Sequence, residues 1–225
     1  MELTEYVLDN PVWYSLTEIH TKHCINYGNI KFYQADYAPF GAFVNNQDTS
    51  KAIEAYSKLV NSFFIVGQQP KVPTNFSPPI KYVGLQMIIY NKINHPITEK
   101  IIELKDEHYQ DLIELVELVY PHFFKAKTNT LGRYYGIYKD NKLVAVTGER
   151  MQTKHFTEIS AVVTHPDYLG NGFAKQLVAY TANQIFHTSK TPFLHVDQNN
   201  FGPINLYKKL GFVLRRELHY WKISN

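Results

Sequence analysis

Two glycines, Gly170 and Gly172, stand where a predicted strand passes into a predicted helix. Residues 156–165 have the composition of a strand, and residues 172–187 carry apolar side chains at helical spacing. The first turn of a helix has amide groups without internal partners, and the helix dipole makes that end positive. Glycines let a ligand approach these amides closely. The junction therefore predicts a phosphate site, although such glycine pairs also occur in turns that bind nothing.

Two common phosphate loops do not fit this junction. A P-loop requires the pattern GxxxxGK[ST], which residues 164–178 lack. A dinucleotide fingerprint requires glycine or alanine at the sixth position of GxGxxG, where this chain has Lys175. It also requires an acidic residue about 20 positions later, where the chain reads HTSKTP. The ligand is therefore expected to carry phosphate but to use another loop.

The elements predicted around the glycines alternate in the order β-α-β-β-β-α-β-α-β. Strands are predicted at 99–105, 133–140, 142–152, 156–165, 192–198 and 212–223, and helices near 106–119, 172–187 and 203–210. The Asp140-Asn141 pair predicts a tight hairpin turn.

The N-terminal half, residues 1–95, predicts a second α/β region that joins the rest near residues 91–96. Its predicted elements are strands at 62–67 and 81–90, a helix capped by Thr49 and Ser50, and a helix near Leu16 to Cys24. Within the last of these, His20, His23 and Cys24 have helical i, i+3, i+4 spacing, which raises the alternative of a metal site. Three ligands without a fourth make that alternative weaker, and no metal is expected.

Composition excludes several classes of protein. The net charge is +3 and basic residues are dispersed, so nucleic acid is not an expected partner. No apolar stretch reaches the roughly 20 residues that a membrane helix needs. The first twenty residues lack the apolar segment of a secretory signal. With one cysteine, Cys24, and so no internal disulfide, the chain is expected to be cytoplasmic.

A second motif lies downstream at residues 196–212, which read VDQNNFGPINLYKKLGF. With the glycine loop, it makes residues 97–225 resemble the GNAT superfamily of N-acetyltransferases. That family carries Arg/Gln-x-x-Gly-x-Gly/Ala at the loop, where Gly172 and Ala174 match and Leu169 replaces the cation or amide. It also carries Asn-x-x-Ala-x-x-Leu-Tyr-x-Lys-x-Gly-Phe, in which Pro203 takes the alanine place. The matching residues of this second motif are Asn200, Leu206, Tyr207, Lys209, Gly211 and Phe212.

The resemblance implies a mixed α/β, GNAT-type acyl-CoA N-acyltransferase fold over residues 96–225, with a mixed central sheet that splays. Residues 1–95 would be a degenerate copy that shapes the acceptor site. The implied activity moves an acetyl or short acyl group from acetyl-CoA to an amine of a small molecule or peptide, by direct attack in a ternary complex. A homodimer is compatible with the family. The alternative is a non-catalytic module that binds acyl-CoA.

The resemblance also assigns roles to single residues. Tyr207 is the candidate acid toward the leaving thiolate, and Glu158 is the candidate base, with Glu149 as its substitute. The expected CoA contacts are the backbone of Val162, Val163 and Thr164, the loop residues Leu169, Gly170, Asn171, Gly172, Phe173 and Ala174, and Asn200. Aromatic residues at Tyr120, Phe123 and Phe124 either line an apolar acceptor pocket or belong to the core.

Overall fold

The computed structural model of the chain describes residues 4–45, 48–121 and 124–224. Its strands are β1 (Cys24–Asn26), β2 (Ile30–Tyr33), β3 (Phe40–Phe43), β4 (Ser62–Val66), β5 (Ile80–Ile88), β6 (Ile101–Leu104), β7 (Tyr134–Lys139), β8 (Lys142–Gln152), β9 (Phe156–Thr164), β10 (Thr191–Asp197) and β11 (Val213–Ser224). Its helices are α1 (Pro11–Glu18), α2 (Ser50–Ser57), α3 (Tyr109–Val119), α4 (Phe173–His187) and α5 (Phe201–Lys209). None of the helices in these ranges combines the length and the apolar composition of a membrane span.

All of these strands form one sheet, in the order β1-β2-β3-β4-β11-β5-β10-β9-β8-β7-β6. The element order predicted for the C-terminal half is confirmed, from β6 through α3, β7, β8, β9, α4, β10 and α5 to β11. Asp140 and Asn141 both have positive φ, 49° and 60°. This is the backbone conformation that a two-residue hairpin turn requires, so the β7–β8 hairpin follows directly from the sequence.

The two halves repeat one topology and exchange their last strands. In the N-terminal half β1, β2 and β3 are antiparallel, and β4, which follows α2, is parallel to β3. In the C-terminal half β7, β8 and β9 are antiparallel, and β10, which follows α4, is parallel to β9. The last strand of the first half, β5, then lies between β10 and β11, and β11 lies between β5 and β4. This repeat is what a duplicated, partly degenerate fold would produce.

The sequence patterns predicted the bounds of the N-terminal elements less accurately. The helix predicted near Leu16 to Cys24 is wrong, because α1 begins at Pro11 and ends at Glu18, and Cys24 begins β1. The helix starts early because the Asn10 side chain accepts a hydrogen bond from the Trp13 amide, at 3.4 Å, with proline in the first turn.

Helices pack on the sheet and tie the halves together. On α4, the apolar residues Val178, Ala182 and Ile185 pack against Ile159 and Leu194 of the sheet. On α1, the buried residues Val12 and Leu16 share a core cluster with side chains of both halves, among them Ile88, Met151, Phe156 and Phe193. The N-terminal half is therefore packed into the same core as the C-terminal strands.

A buried polar cluster reinforces this join. Nδ1 of His20 lies 2.9 Å from the Tyr33 hydroxyl and 3.1 Å from Ser15 Oγ. Nε2 of the same ring lies 3.1 Å from the Leu131 carbonyl oxygen. A carbonyl only accepts, so Nε2 carries the proton and Nδ1 accepts. Burial lowers the pKa of His20 from 6.5 to about 4, which keeps the ring neutral in the folded protein.

This cluster predicts a pH dependence of stability. The unfolded chain takes up a proton on His20 below about pH 6.5, whereas the folded protein does so only near pH 4. Stability is therefore full above pH 6.5 and falls as the pH drops toward 4, by up to about 3 kcal/mol from this residue. Urea unfolding of the parent and of His20→Gln at pH 7.5, 6 and 5 measures it. The variant should have the flatter profile, and equal slopes would contradict the assignment.

Candidate active site

The glycine loop has the backbone conformation that its sequence predicts. Gly170 and Gly172 have φ of +83° and +74°, a left-handed region that glycine enters without strain. A Cβ added at either position would meet no atom within 4 Å. The glycines are thus required by the backbone and not by packing, and open space lies beside them.

The amides of this loop have no partners among the described residues. No hydrogen bond from the backbone N–H of residues 170–175 is present there, and the first helical bond of α4 is Gln176 N–H to the Gly172 carbonyl, at 3.2 Å. Gly172 is the N-cap of the 15-residue helix α4 and has no side chain to cap it. Leu169 is 66% exposed and Phe173 is buried. Six consecutive amides therefore surround an uncapped, positive helix end.

Next to the loop, the sheet opens. β9 and β10 pair at four positions only, from Phe156 opposite Thr191 to Ile159 opposite Leu194. Beyond Ile159 the rest of β10 pairs with β5, and the rest of β9 pairs with β8. The predicted splay of the central sheet is confirmed, and it leaves the facing edges of β9 and β10 without each other's hydrogen bonds.

A bulge in β9 decides which backbone groups face the gap. Ala161 has a φ of +49°, and the pairing with β8 shifts register beside it. After the bulge, the amide of His165 donates to a β8 carbonyl. Successive residues of a strand direct their backbone groups to opposite sides, so Val163 faces β8, whereas Val162 and Thr164 face the gap. Thr164 Oγ1 is also buried with no partner among the described residues.

A cavity of about 570 Å³ lies where the two halves meet. It is lined by residues 38–40 and 82–84 of the N-terminal half, by residues 159–163 and 195–197 on the two sides of the gap, and by Tyr207. The N-terminal half thus supplies one wall of the cavity.

Other predicted residues also lie at this cavity. Asn200, Tyr120 and Phe124 line it, whereas Phe123 lies outside the described residues. Tyr207 is 6% exposed, and no hydrogen bond joins its hydroxyl to another described residue. Burial raises the pKa of Tyr207 above its ordinary value, so the phenol stays protonated and can donate a hydrogen bond into the cavity.

Glu158 lies behind the cavity and is not among the residues that line it. It is 1% exposed, and its two oxygens accept from Arg150 Nη2 at 2.7 Å and Arg150 Nε at 2.8 Å. The Met151 amide donates to it at 3.2 Å, and His195 Nδ1 lies 2.7 Å away. Burial alone would raise the pKa of Glu158, but the Arg150 charge and these hydrogen bonds outweigh burial and hold the pKa well below its usual range.

The substitute carboxylate, Glu149, is also engaged elsewhere. It is 4% exposed, and its Oε1 lies 2.9 Å from Arg133 Nη2. It does not line the cavity. In the described ranges, no group of three or more His, Cys, Asp or Glu residues is placed to hold a metal ion.

Two cavity residues, Arg150 and His195, were not predicted from the sequence. His195 Nε2 lies 3.0 Å from Gln86 Nε2. Arg215 Nη1 donates to Gln86 Oε1 at 2.9 Å, and this bond fixes the orientation of the Gln86 amide. That orientation makes Gln86 the donor, so Nε2 accepts and the proton lies on Nδ1, toward Glu158. Polar side chains at two alternate positions near the end of β10, His195 and Asp197, were the available signal that this end of the strand faces a polar site.

A scan against family models matches residues 134–222 to the family described as FR47-like protein. Among solved structures, a protein from Novosphingobium aromaticivorans assigned to the GNAT family of acetyltransferases is 27% identical, with a TM-score of 0.87 over 97% of this chain and 98% of that one. A GCN5-related N-acetyltransferase-like protein from Streptococcus suis is 13% identical, with a TM-score of 0.66 over 97% and 96% of the two chains. Among curated proteins, no sequence matches this chain significantly.

The full-length likeness to the Novosphingobium protein extends the relationship beyond the segment that the family model matches. It includes the N-terminal half, which supplies the exchanged strand β5. The more distant Streptococcus protein shares the same fold. In its motifs, its splayed sheet and these likenesses, the chain is similar to GNAT acetyltransferases, in sequence motifs over its C-terminal half and in fold over almost its whole length.

Proposed function

We propose that this chain transfers an acetyl or other short acyl group from acyl-CoA to an amine of a small molecule or peptide, by direct attack in a ternary complex. One observation carries the proposal: an uncapped helix end, with six amides that have no partner in the described part of the chain, lies beside a gap in the sheet. That gap borders a cavity with the Tyr207 side chain in its wall. A diphosphate, an extended pantetheine arm and a reacting thioester require these three features in this order.

The loop residues 170–174 hold the diphosphate through their backbone amides, and Leu169 borders that site. Leu169 supplies no positive charge, and this lowers the affinity for the diphosphate only in part, because the backbone amides and the helix dipole do not depend on that side chain. The gap-facing backbone groups of Val162 and Thr164 bind the pantetheine arm, and Asn200 contacts it from the other side. The rest of the cavity receives the amine.

Tyr207 donates a hydrogen bond to the sulfur as the thiolate forms. Complete proton transfer from a phenol of pKa about 10 to a thiolate of pKa about 8.5 is uphill by roughly 2 kcal/mol. Burial raises the pKa of Tyr207 further, which favours a hydrogen bond over full transfer.

Glu158 acts as a positioning residue in this proposal and not as the base. A carboxylate held by Arg150, His195 and the Met151 amide, with a lowered pKa, has little tendency to take a proton from an ammonium group. It fixes the Arg150 and His195 side chains at the cavity. The amine enters in its neutral form, or gives its proton to water at the open side of the cavity.

The activity is tested by release of free thiol from acetyl-CoA in the presence of a panel of small amines and short peptides. Turnover that depends on both acetyl-CoA and an amine supports transfer. Tight CoA binding with no turnover by any member of the panel would instead favour a non-catalytic acyl-CoA-binding module.

Gly172→Asp should weaken CoA binding by roughly tenfold or more. The new carboxylate lies at the N-cap position, where it repels a diphosphate and accepts hydrogen bonds from the same amides. Isothermal titration with CoA measures the change.

Gly28→Asp is the matched control, because Gly28 has the same φ of +74° and also meets no atom within 4 Å. It introduces the same strain and charge in the β1–β2 turn, away from the loop. CoA affinity should be unchanged in this control. Equal affinities for both variants would remove the loop from CoA binding.

A further inference from the structure

Two phenols in the cavity wall have no hydrogen-bond partner among the described residues. Tyr134 and Tyr220 both line the cavity, and the hydroxyl of each is buried and unpaired within the described part of the chain. Tyr134 is only 2% exposed as a whole residue. Buried tyrosine hydroxyls normally find a partner, because leaving one unpaired carries a desolvation penalty. A ligand atom that accepts from both hydroxyls would offset that penalty.

A third donor lies in the same wall. Arg150 uses Nε and Nη2 for Glu158, and no hydrogen bond joins its Nη1 to another described residue. Its guanidinium lies 4.8 Å from the centre of the Phe40 ring, which holds the group at the cavity. The Glu158 pair therefore orients Arg150 and leaves one guanidinium edge available for a ligand.

The three groups all donate. Burial raises the pKa of Tyr134 and Tyr220 well above the ordinary phenol value, so both hydroxyls remain protonated at neutral pH. Arg150 remains charged. Lys222 adds a second cation to the lining. Among the described residues, the one acidic residue of the lining is Asp197, which lies at the end of β10. This arrangement suits a group with several acceptor lone pairs and a negative charge.

Much of the remaining wall is apolar. Aromatic rings surround the cavity on the side of the N-terminal half and of α3, namely Phe40, Phe64, Tyr82, Tyr120 and Phe124. An acceptor that fits has an apolar body next to its anionic group.

The geometry points to an acceptor amine that carries a carboxylate: an amino acid with an apolar side chain, whose carboxylate accepts hydrogen bonds from Arg150, Tyr134 and Tyr220. This inference rests on the proposed function and names its substrate class. A carboxylate fits because its two oxygens offer about four lone-pair sites to these donors. Its bond to the free guanidinium edge is charge-assisted.

The first experiment compares L-phenylalanine with L-phenylalaninamide as acceptors, with acetyl-CoA in saturating amount and thiol release as the readout. The amide keeps the amine and the ring and replaces the carboxylate by a neutral group with a single acceptor oxygen. Its less basic amine is more often neutral, which by itself favours the amide and not the acid. The ratio of kcat/KM for acid over amide should be at least about tenfold. Binding of N-acetyl-L-phenylalanine and of its amide to the CoA complex, by calorimetry, gives the same comparison without turnover.

The second experiment uses Tyr134→Phe and Tyr220→Phe. Each change removes one donor and should lower the acid-to-amide ratio by about tenfold. Neither should lower the melting temperature, because neither hydroxyl bonds another residue that the structure describes. Tyr56→Phe is the matched control, since its buried hydroxyl donates to the Tyr33 carbonyl at 2.8 Å. It should lower the melting temperature and leave the ratio unchanged.

These outcomes separate the inference from the proposed function. CoA binding with no preference for the acid in either turnover or product binding would overturn the inference and leave acyl transfer intact. Ratios in Tyr134→Phe and Tyr220→Phe equal to that of the parent would also overturn it. Absence of CoA binding would overturn the proposed function itself.

Discussion

Replacing Tyr207 by phenylalanine is expected to lower kcat by roughly 10²–10³-fold, which lies within the range usual for a residue that stabilises a departing group by its proton. The change removes only the hydroxyl, and the ring keeps its edge contact with Phe212, at 6.0 Å between centroids. Because that hydroxyl bonds no other described residue, folding stability should be unaffected. CoA affinity should also be unchanged, since the diphosphate is held at the loop before α4.

Thiol release under saturating substrates gives kcat, and calorimetry gives the CoA dissociation constant. Tyr109→Phe is a suitable control, because its hydroxyl donates to the Ala126 carbonyl at 2.9 Å and the residue does not line the cavity. The control should keep the parent's kcat. Parent-like turnover in Tyr207→Phe would remove this residue from the mechanism.

Glu158→Gln is expected to destabilise the protein by about 3–5 kcal/mol, as breaking a buried ion pair does. Four hydrogen bonds converge on the carboxylate, and an amide can accept at only one of its two ends. The change also leaves the Arg150 charge buried without compensation. Because the pKa of Glu158 lies below its ordinary value, this contribution is present above about pH 4.5 and is lost as the pH falls.

Urea unfolding at pH 7 measures the loss. Glu99→Gln is the matched control, because Glu99 pairs with Lys139 at 2.6 Å where both side chains are partly exposed. Pairs of this kind contribute about 0–1 kcal/mol. A Glu158→Gln variant as stable as the control, with an altered pH–rate profile, would return Glu158 to the role of base.

The features that the sequence predicted well are those that local chemistry dictates. Gly170 and Gly172 take the left-handed backbone that marks the loop, and Asp140-Asn141 takes the hairpin turn. Apolar periodicity located α4 within a residue of its observed start.

What the sequence did not reveal depends on contacts between distant parts of the chain. The insertion of β5 between β10 and β11 follows from strand pairing across more than 100 residues, which no local pattern specifies. The partners of Glu158, Arg150 on β8 and His195 on β10, depend on which faces of three strands coincide. The bulge at Ala161, which sets the direction of the backbone groups after it, has no local signal either.

Titration calorimetry with CoA and with pantetheine tests the central claim most directly, because the two ligands differ by the nucleotide and its phosphates. The loop at Gly170–Ala174 should make CoA bind at least about tenfold more tightly than pantetheine. The predicted result is a clear heat of binding with CoA and a weak heat of binding with pantetheine. No heat with millimolar CoA, or equal affinities for the two ligands, would contradict the claim that this helix end holds a diphosphate.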